Sequence, residues 1–69
     1  MGLGMISPAD LTAGDVVDYV RGMSGAVLPV PGDGVVEAAD WFGGDSYRVR
    51  FECGEALVLA GRALCAVVR

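Results

Sequence analysis

The stretch Tyr47-Arg48-Val49-Arg50-Phe51-Glu52 decides the fold. Apolar and charged residues alternate along it at a period of two, which is the pattern of a β-strand with one buried and one solvated face. The Tyr, Val and Phe of this stretch are predicted to face a core, and its two Arg and one Glu are predicted to face water. The chain is therefore expected to contain an antiparallel sheet that is covered on one side.

Strand-like segments lie on both sides of residues 47–52. Cys53-Gly54-Glu55 reads as a turn, so Ala56–Ala60 is expected to return as the partner strand of a hairpin, and Leu64–Val68 is expected to be the last strand. Upstream, residues 16–20 and 35–39 are rich in Val and are separated by glycine-bearing turns. Residues 26–30 end against prolines, so they are expected to form an edge strand or a loop.

Five short strands at this spacing predict an all-β fold, a small five-stranded barrel. A short helical turn is expected before it over residues 7–13, because Ser7 suits the N-cap, Pro8 the first helical position and Gly14 the end. Residues 1–13 are thus predicted to be an N-terminal arm and residues 14–69 the barrel.

The predicted core follows from the strand alternation. Cys53 follows Phe51 by two residues, so its side chain is expected to point inward as the Phe51 side chain does. Whether the Cys65 side chain points inward or outward is left open. Both cysteines are expected to be reduced and free. The expected core members are Val16 or Val17, Val20, Val36, Tyr47, Val49, Phe51, Leu57 or Val58, Leu64 and Val67.

Composition excludes several classes of function. The chain has 69 residues, a net charge of −4 and no Lys, His, Asn or Gln. Without His or Lys there is no imidazole base, Schiff-base amine or His metal ligand, so no enzyme, metal site or cofactor is expected. The acidic charge argues against nucleic acid and anionic membranes. No signal peptide or membrane span is recognisable, so a cytoplasmic location is expected.

The order of these segments resembles the SH3-like barrel, and within it the Tudor-type branch. The resemblance covers roughly residues 14 to 68. It rests on the opening Gly14-Asp15-Val16-Val17, a long first loop, Gly34-Val35-Val36-Glu37, and the hairpin of residues 47–55. In the Tudor-type branch, Y-x-V-x-F-x-x-G marks the third strand and its turn. The layout is also similar to small C-terminal SH3-like domains of plasmid repressor and partition proteins.

The resemblance implies one candidate ligand site. In Tudor-type barrels, aromatic side chains at the barrel mouth form a cage for a methylated cation. Trp41, Phe42 and Tyr47 bracket one turn here, beside Asp40 and Asp45. The favoured interpretation is that Trp41 joins Phe51 in the core and Phe42 covers one end of the barrel, because so short a chain needs its aromatic residues for burial.

Arg48 and Arg50 share the solvated face of one strand. They are candidates for contacts to nucleic acid. Because acidic residues outnumber the arginines and Glu52 lies on the same face, cross-strand ion pairs are the favoured interpretation.

The C-terminal half predicts self-association. Ala56–Ala60 and Leu64–Val68 are apolar at every position, whereas a strand with one solvated face should alternate. Val58 and Val67 are therefore expected to lie in an exposed partner-binding patch, and the last strand to offer an open edge to a second copy. A two-fold homodimer is predicted; in the alternative, the N-terminal arm shields the patch.

These inferences favour a non-enzymatic protein-interaction or self-association module. An accessory protein of a bacterial mobile element or regulatory complex would fit that description. The two alternatives are a nucleic-acid-associated SH3-like barrel that uses Arg48 and Arg50, and an oligomeric enzyme with its site in a pore between subunits.

Overall fold

A computed structural model describes residues 2–68, so Met1 and Arg69, the outermost residues of the two predicted regions, lie outside it. The described chain is all-β, as predicted, but it contains seven strands where five were expected. In chain order they are β1 (Leu3–Ile6), β2 (Val17–Arg21), β3 (Val27–Leu28), β4 (Val36–Gly43), β5 (Ser46–Phe51), β6 (Ala56–Ala60) and β7 (Leu64–Val68).

The strands form two antiparallel sheets. One sheet has the order β1-β7-β2-β3 and the other the order β4-β5-β6. A single bridge between Val16 and Val35 connects them beside β2 and β4. Within residues 2–68 the two sheets do not close into a barrel by strand pairing, so the expected barrel is not formed as such.

The N-terminal segment holds a strand that was not predicted. Leu3–Ile6 pairs antiparallel with β7, from Leu3 opposite Val68 to Ile6 opposite Cys65. The last strand therefore lies between two others, and the open edge expected there is occupied by the chain's own N-terminal residues. This pairing depends on a strand at the far end of the sequence, so local sequence did not reveal it.

The predicted helical turn is present but short. Residues Pro8–Asp10 form one turn of 3₁₀ helix, and Ser7 caps it by accepting a hydrogen bond from the Ala9 N–H at 3.3 Å. The Ser7 hydroxyl also donates to the Gly61 carbonyl at 3.1 Å, which fastens this turn beside the end of β6. No helix in the described part of the chain is long and apolar enough to cross a membrane.

The core lies between the sheets and agrees with most of the prediction. Leu59, which was not expected there, is buried, and Leu57 packs against the core from its rim. The buried apolar cluster consists of Leu11, Val17, Val20, Val36, Val49, Phe51, Leu59, Ala63, Cys65 and Val67.

Three expected core positions are wrong or only partly right. Cys53 is exposed because β5 ends at Phe51 and the chain turns, with the Gly54 N–H bonded to the Phe51 carbonyl at 2.9 Å. Leu64 is exposed because the register points its neighbour Cys65 inward, opposite Val20. Tyr47 is only half-buried, since it lies at the end of the core.

The turn before β4 requires a glycine at position 34. Gly34 has a φ of +74° and accepts a hydrogen bond from the Val17 N–H at 2.8 Å. A Cβ atom on this residue would collide with the Val17 carbonyl oxygen. This close approach of backbones holds β2 of one sheet against the turn that precedes β4 of the other.

Candidate functional site

Trp41 and Phe42 are neighbours on β4, where the register with β5 is irregular between Trp41 and Gly43. Phe42 contacts Arg48, whereas Trp41 is paired with Tyr47, which is adjacent to Arg48, so the two aromatic side chains lie on different faces. Trp41 is 68% exposed, and its indole N–H donates to the Gly44 carbonyl at 2.9 Å. The favoured interpretation, with Trp41 in the core, is therefore wrong.

Phe42 lies with Arg48 on the outer face of the three-stranded sheet. The Arg48 guanidinium carbon is 5.4 Å from the centre of the Phe42 ring, which is a cation–π contact within the chain. Phe42 is thus separated from Trp41 and Tyr47, and one face of its ring is already in contact with a cation. The structure does not bring the three aromatic residues together around one space.

Tyr47 lies on the Trp41 side, against the turn that follows β6. A Cβ atom at Gly61 would lie 3.3 Å from the Tyr47 ring and 2.8 Å from a carboxylate oxygen of Asp45. Trp41, Tyr47 and Asp45 are therefore the members of the predicted cage that share one end of the molecule.

Arg50 forms the ion pairs expected of this strand. Its guanidinium lies 3.6 Å from a Glu37 carboxylate oxygen and 3.7 Å from one of Asp40. All three side chains are about half exposed, so the stabilisation is at most about 1 kcal/mol.

Arg48 differs from Arg50. Asp40 is opposite Arg48 in the register, yet its carboxylate is directed to Arg50. Among residues 2–68, no carboxylate lies within salt-bridge distance of Arg48. Its guanidinium lies on Phe42 and keeps its hydrogen-bond donors free for another group.

The two valines predicted to bind a partner are in different environments. Val58 is 54% exposed on the outer face of β6, directly opposite Arg48 in the register. Val67 is 2% exposed and belongs to the core, where it pairs with Gly4 and Val17. Val67 therefore offers no surface to a partner.

The outer face of the four-stranded sheet carries a group of apolar side chains that was not predicted from the sequence. Leu3 is opposite Val68, Met5 is opposite Ala66, and Leu64 lies on the same face. The uniform apolar pattern of β7 was a usable signal for Leu64 and Val68. No comparable signal marked Leu3 and Met5, whose place depends on the unpredicted strand.

A pocket of about 260 Å³ lies between the turn before β4 and the turn after β5. Phe51 and Pro31 contribute apolar surface to it, and Asp33, Glu52 and Cys53 also line it. No group of three potential metal ligands occurs in the described residues. The chain has no His that could act as a base toward the Cys53 thiol, so the pocket offers no evident nucleophilic chemistry.

Comparison of the chain with protein-family models, with curated proteins and with solved structures gives no match. The fold and surface described above define a small all-β domain with exposed aromatic and aliphatic side chains. We use the name β4–β6 surface for the outer face that carries Phe42, Arg48 and Val58, together with the adjoining end of β4, where Trp41 projects on the other side of the strand.

Proposed function

We propose that this chain is a non-enzymatic module that binds another protein through the β4–β6 surface. The observation that carries the proposal is the exposure of three large apolar side chains there: 68% for Trp41, 54% for Phe42 and 54% for Val58. Large exposed apolar patches commonly mark interaction sites, and Trp and Arg are enriched among the residues that dominate binding energy.

The side chains of this surface are partly ordered before any partner binds. The Trp41 indole is fixed by its hydrogen bond to Gly44, and Arg48 rests on the Phe42 ring. Ordering a side chain at an interface costs roughly 0.5–1.5 kcal/mol, and side chains already held in place avoid part of that cost. This preorganisation favours a binding role over an incidental exposure of apolar groups.

The free guanidinium of Arg48 indicates the chemistry of the partner. A partner segment with apolar side chains for Phe42 and Val58 and one carboxylate for Arg48 would complement the outer face, and a segment that continues around the end of β4 would also contact Trp41. A planar guanidinium binds a carboxylate through two parallel hydrogen bonds, which fixes the orientation of the bound segment.

An SH3-like arrangement is part of the proposal. The order of β2, β4, β5, β6 and β7, the β4-β5-β6 meander and the Val16–Val35 bridge support it. On this interpretation β1 and β3 are additions to the edges of the first sheet. Small barrels of this kind present side chains to partners and need no catalytic group.

The alternative nucleic-acid role receives less support from the charges. Arg50 is paired with Glu37 and Asp40, so Arg48 is the arginine of this sheet that is free for a phosphate. Nucleic-acid affinity needs several such contacts, and the net charge of −4 opposes it.

The experiment compares proteins captured from a lysate by the immobilised wild-type chain and by its variants. Trp41→Ala and Phe42→Ala are the test variants, and Met23→Ala, at an exposed loop position outside the surface, is the matched control. A protein retained by the wild type and the control but lost with both test variants is then purified, and its dissociation constant is measured. We expect Trp41→Ala to weaken binding by roughly thirtyfold, as a central contact of about 2 kcal/mol requires.

The proposal is wrong if the test variants retain the same proteins as the wild type with equal affinity. A parallel measurement on heparin and duplex DNA at low salt tests the alternative. Retention that falls steeply with salt and is lost in Arg48→Ala would favour the nucleic-acid role.

A further inference from the structure

β6 forms one edge of the three-stranded sheet, with β5 as its neighbour. The Phe51 N–H donates to the Glu55 carbonyl at 2.8 Å, and the Gly61 N–H donates to the Asp45 carbonyl at 2.7 Å. In an antiparallel ladder every second residue of a strand is hydrogen-bonded to the neighbouring strand. Since residues 55 and 61 are bonded to β5 and to Asp45 just before it, the N–H and C=O groups of residues 57 and 59 also point toward β5. The N–H and C=O groups that point away from β5 are those of Ala56, Val58 and Ala60.

This edge lacks the features that normally protect an edge strand. β6 contains no charged residue and no Pro, and the side chains of Ala56 and Val58 are exposed. In the described residues only the Ala60 carbonyl of these outward groups has a partner, the Ala63 N–H at 2.9 Å. Such an edge is a template for a further strand.

We propose that the further strand is β6 of a second copy, paired antiparallel about a two-fold axis at Val58. The sequence of β6, Ala-Leu-Val-Leu-Ala, reads the same in both directions. The two-fold register therefore places Val58 opposite Val58 and Ala56 opposite Ala60 of the second copy. Leu57 comes opposite Leu59, so the core-facing leucines meet on one face and the small residues meet on the other.

The charges that flank β6 complement each other in the same register. Glu55 comes opposite Gly61 of the second copy, where the turn closed by the Ala63 N–H and the Ala60 carbonyl begins, so Arg62 of that turn is the cation closest in sequence to the residue that Glu55 faces. Both side chains are exposed, and neither forms an ion pair within residues 2–68. The two-fold axis repeats this arrangement at the other end, so opposite charges lie near each other at both ends of the paired strands. This complementarity identifies a second copy, rather than an unrelated strand, as the occupant of the edge.

The inference does not rest on the proposed partner-binding role, although Val58 belongs to both surfaces; the Glu55 and Arg62 variants described below lie outside the β4–β6 surface and test the dimer alone. β4 is the opposite edge of the same sheet, so Trp41 and Phe42 stay exposed at both ends of a six-stranded sheet with the order β4-β5-β6-β6-β5-β4. Loss of the dimer and loss of partner binding are therefore measured separately, the first by mass and the second by capture.

Sedimentation of the full chain over a range of micromolar concentrations gives the first test. Wild type and Val58→Thr, which keeps a β-branched side chain, are expected to dimerise. Val58→Lys places two like charges opposite each other and should raise the dissociation constant roughly tenfold or more. Circular dichroism verifies that Val58→Lys is folded. A wild-type chain that sediments as a monomer throughout, or a dimer unaffected in folded Val58→Lys, would overturn the proposal.

Charge exchange tests the register without altering β6. Glu55→Arg and Arg62→Glu should each weaken the dimer several-fold, and the double variant should return within about twofold of the wild type. Equal weakening that is not restored in the double variant would contradict the two-fold register.

Cross-linking gives a second test of the register, in a Cys53→Ser background that leaves Cys65 buried. Val58→Cys is expected to form a dimer on mild oxidation, because facing hydrogen-bonded residues have Cα atoms about 5.5 Å apart, within disulfide range. Ala56→Cys is the matched control, since its counterpart would lie about 14 Å away at the rise of a strand. Equal cross-linking of both variants would refute the pairing.

Discussion

Phe51→Ala removes the largest side chain among the fully buried residues. Phe51 is 2% exposed at the end of β5, opposite Val36 in the register, and it packs in the cluster between the two sheets. Neither sheet has a second covering layer in the described residues, so the cavity left by the ring must stay empty or collapse around the backbone. We expect this single change to remove a large share of the stability of the fold.

The magnitude follows from the burial. A Phe side chain buries about 150–250 Å², which corresponds to roughly 4–6 kcal/mol at about 25 cal/mol per Å². Ala keeps the Cβ atom, and measured Phe→Ala costs in cores are about 3–5 kcal/mol. A domain of 69 residues has a free energy of unfolding of about 3–10 kcal/mol. The variant is therefore expected to lose at least about a third of this stability, and it would be unfolded in buffer alone if the wild type lies at the lower end of the range.

Urea denaturation followed by circular dichroism measures the effect. With a slope of about 1 kcal/mol per molar urea, a cost of 4 kcal/mol shifts the midpoint by about 4 M. Phe42→Ala is the matched control, because the same atoms are removed from an exposed ring, and it should cost less than about 1 kcal/mol. Equal costs for the two variants, or a Phe51→Ala cost below about 1 kcal/mol, would refute the assignment of the core.

Three further predictions concern glycine and cysteine. Gly34→Ala should be destabilised by at least about 1–2 kcal/mol more than Gly25→Ala. Both glycines have a positive φ, but a Cβ atom at position 34 would collide with the Val17 carbonyl, whereas one at position 25 would contact nothing. Equal thermal midpoints of the two variants would contradict this. Burial raises the pKa of Cys65 from 9.0 to about 11, so the free energy of unfolding should fall between about pH 9 and 11, and Cys65→Ala should abolish that fall. At pH 8 a thiol reagent should label Cys53 alone in the folded protein and both cysteines after denaturation; native labelling of both would place Cys65 at the surface.

The sequence predicted those elements whose signals are local. β6 and β7 have the predicted bounds, because each is an apolar run enclosed by turn residues. The alternation of residues 47–52 placed Val49 and Phe51 in the core correctly. It failed at Cys53, because the alternation was assumed to continue to residue 53, whereas the strand ends at Phe51 and a turn follows.

The remainder depends on contacts between distant segments. β1 becomes a strand because β7 lies beside it, and its own Gly-Leu-Gly-Met pattern does not alternate clearly. Aromatic residues of so small a domain were expected to be buried, but β4 continues to Gly43, beyond the core, and carries Trp41 and Phe42 into solvent. The separation of these two side chains onto different faces depends on this extension of the strand, which was predicted to begin with residues 35–39 and whose end was not assigned.

The position of β7 between β1 and β2 determines how this chain can fold. Ala66 lies opposite both Met5 and Tyr19, so the centre of the four-stranded sheet joins residues that are far apart in the sequence. Closing such long loops costs entropy before any contact compensates it, and folds dominated by distant pairings form in about milliseconds to seconds. During synthesis, β1 and β2 have no strand between them until residues 64–68 have left the ribosome. The β4-β5-β6 meander is local and can form earlier, so the chain is expected to emerge with one sheet assembled and the other completed in a single late step.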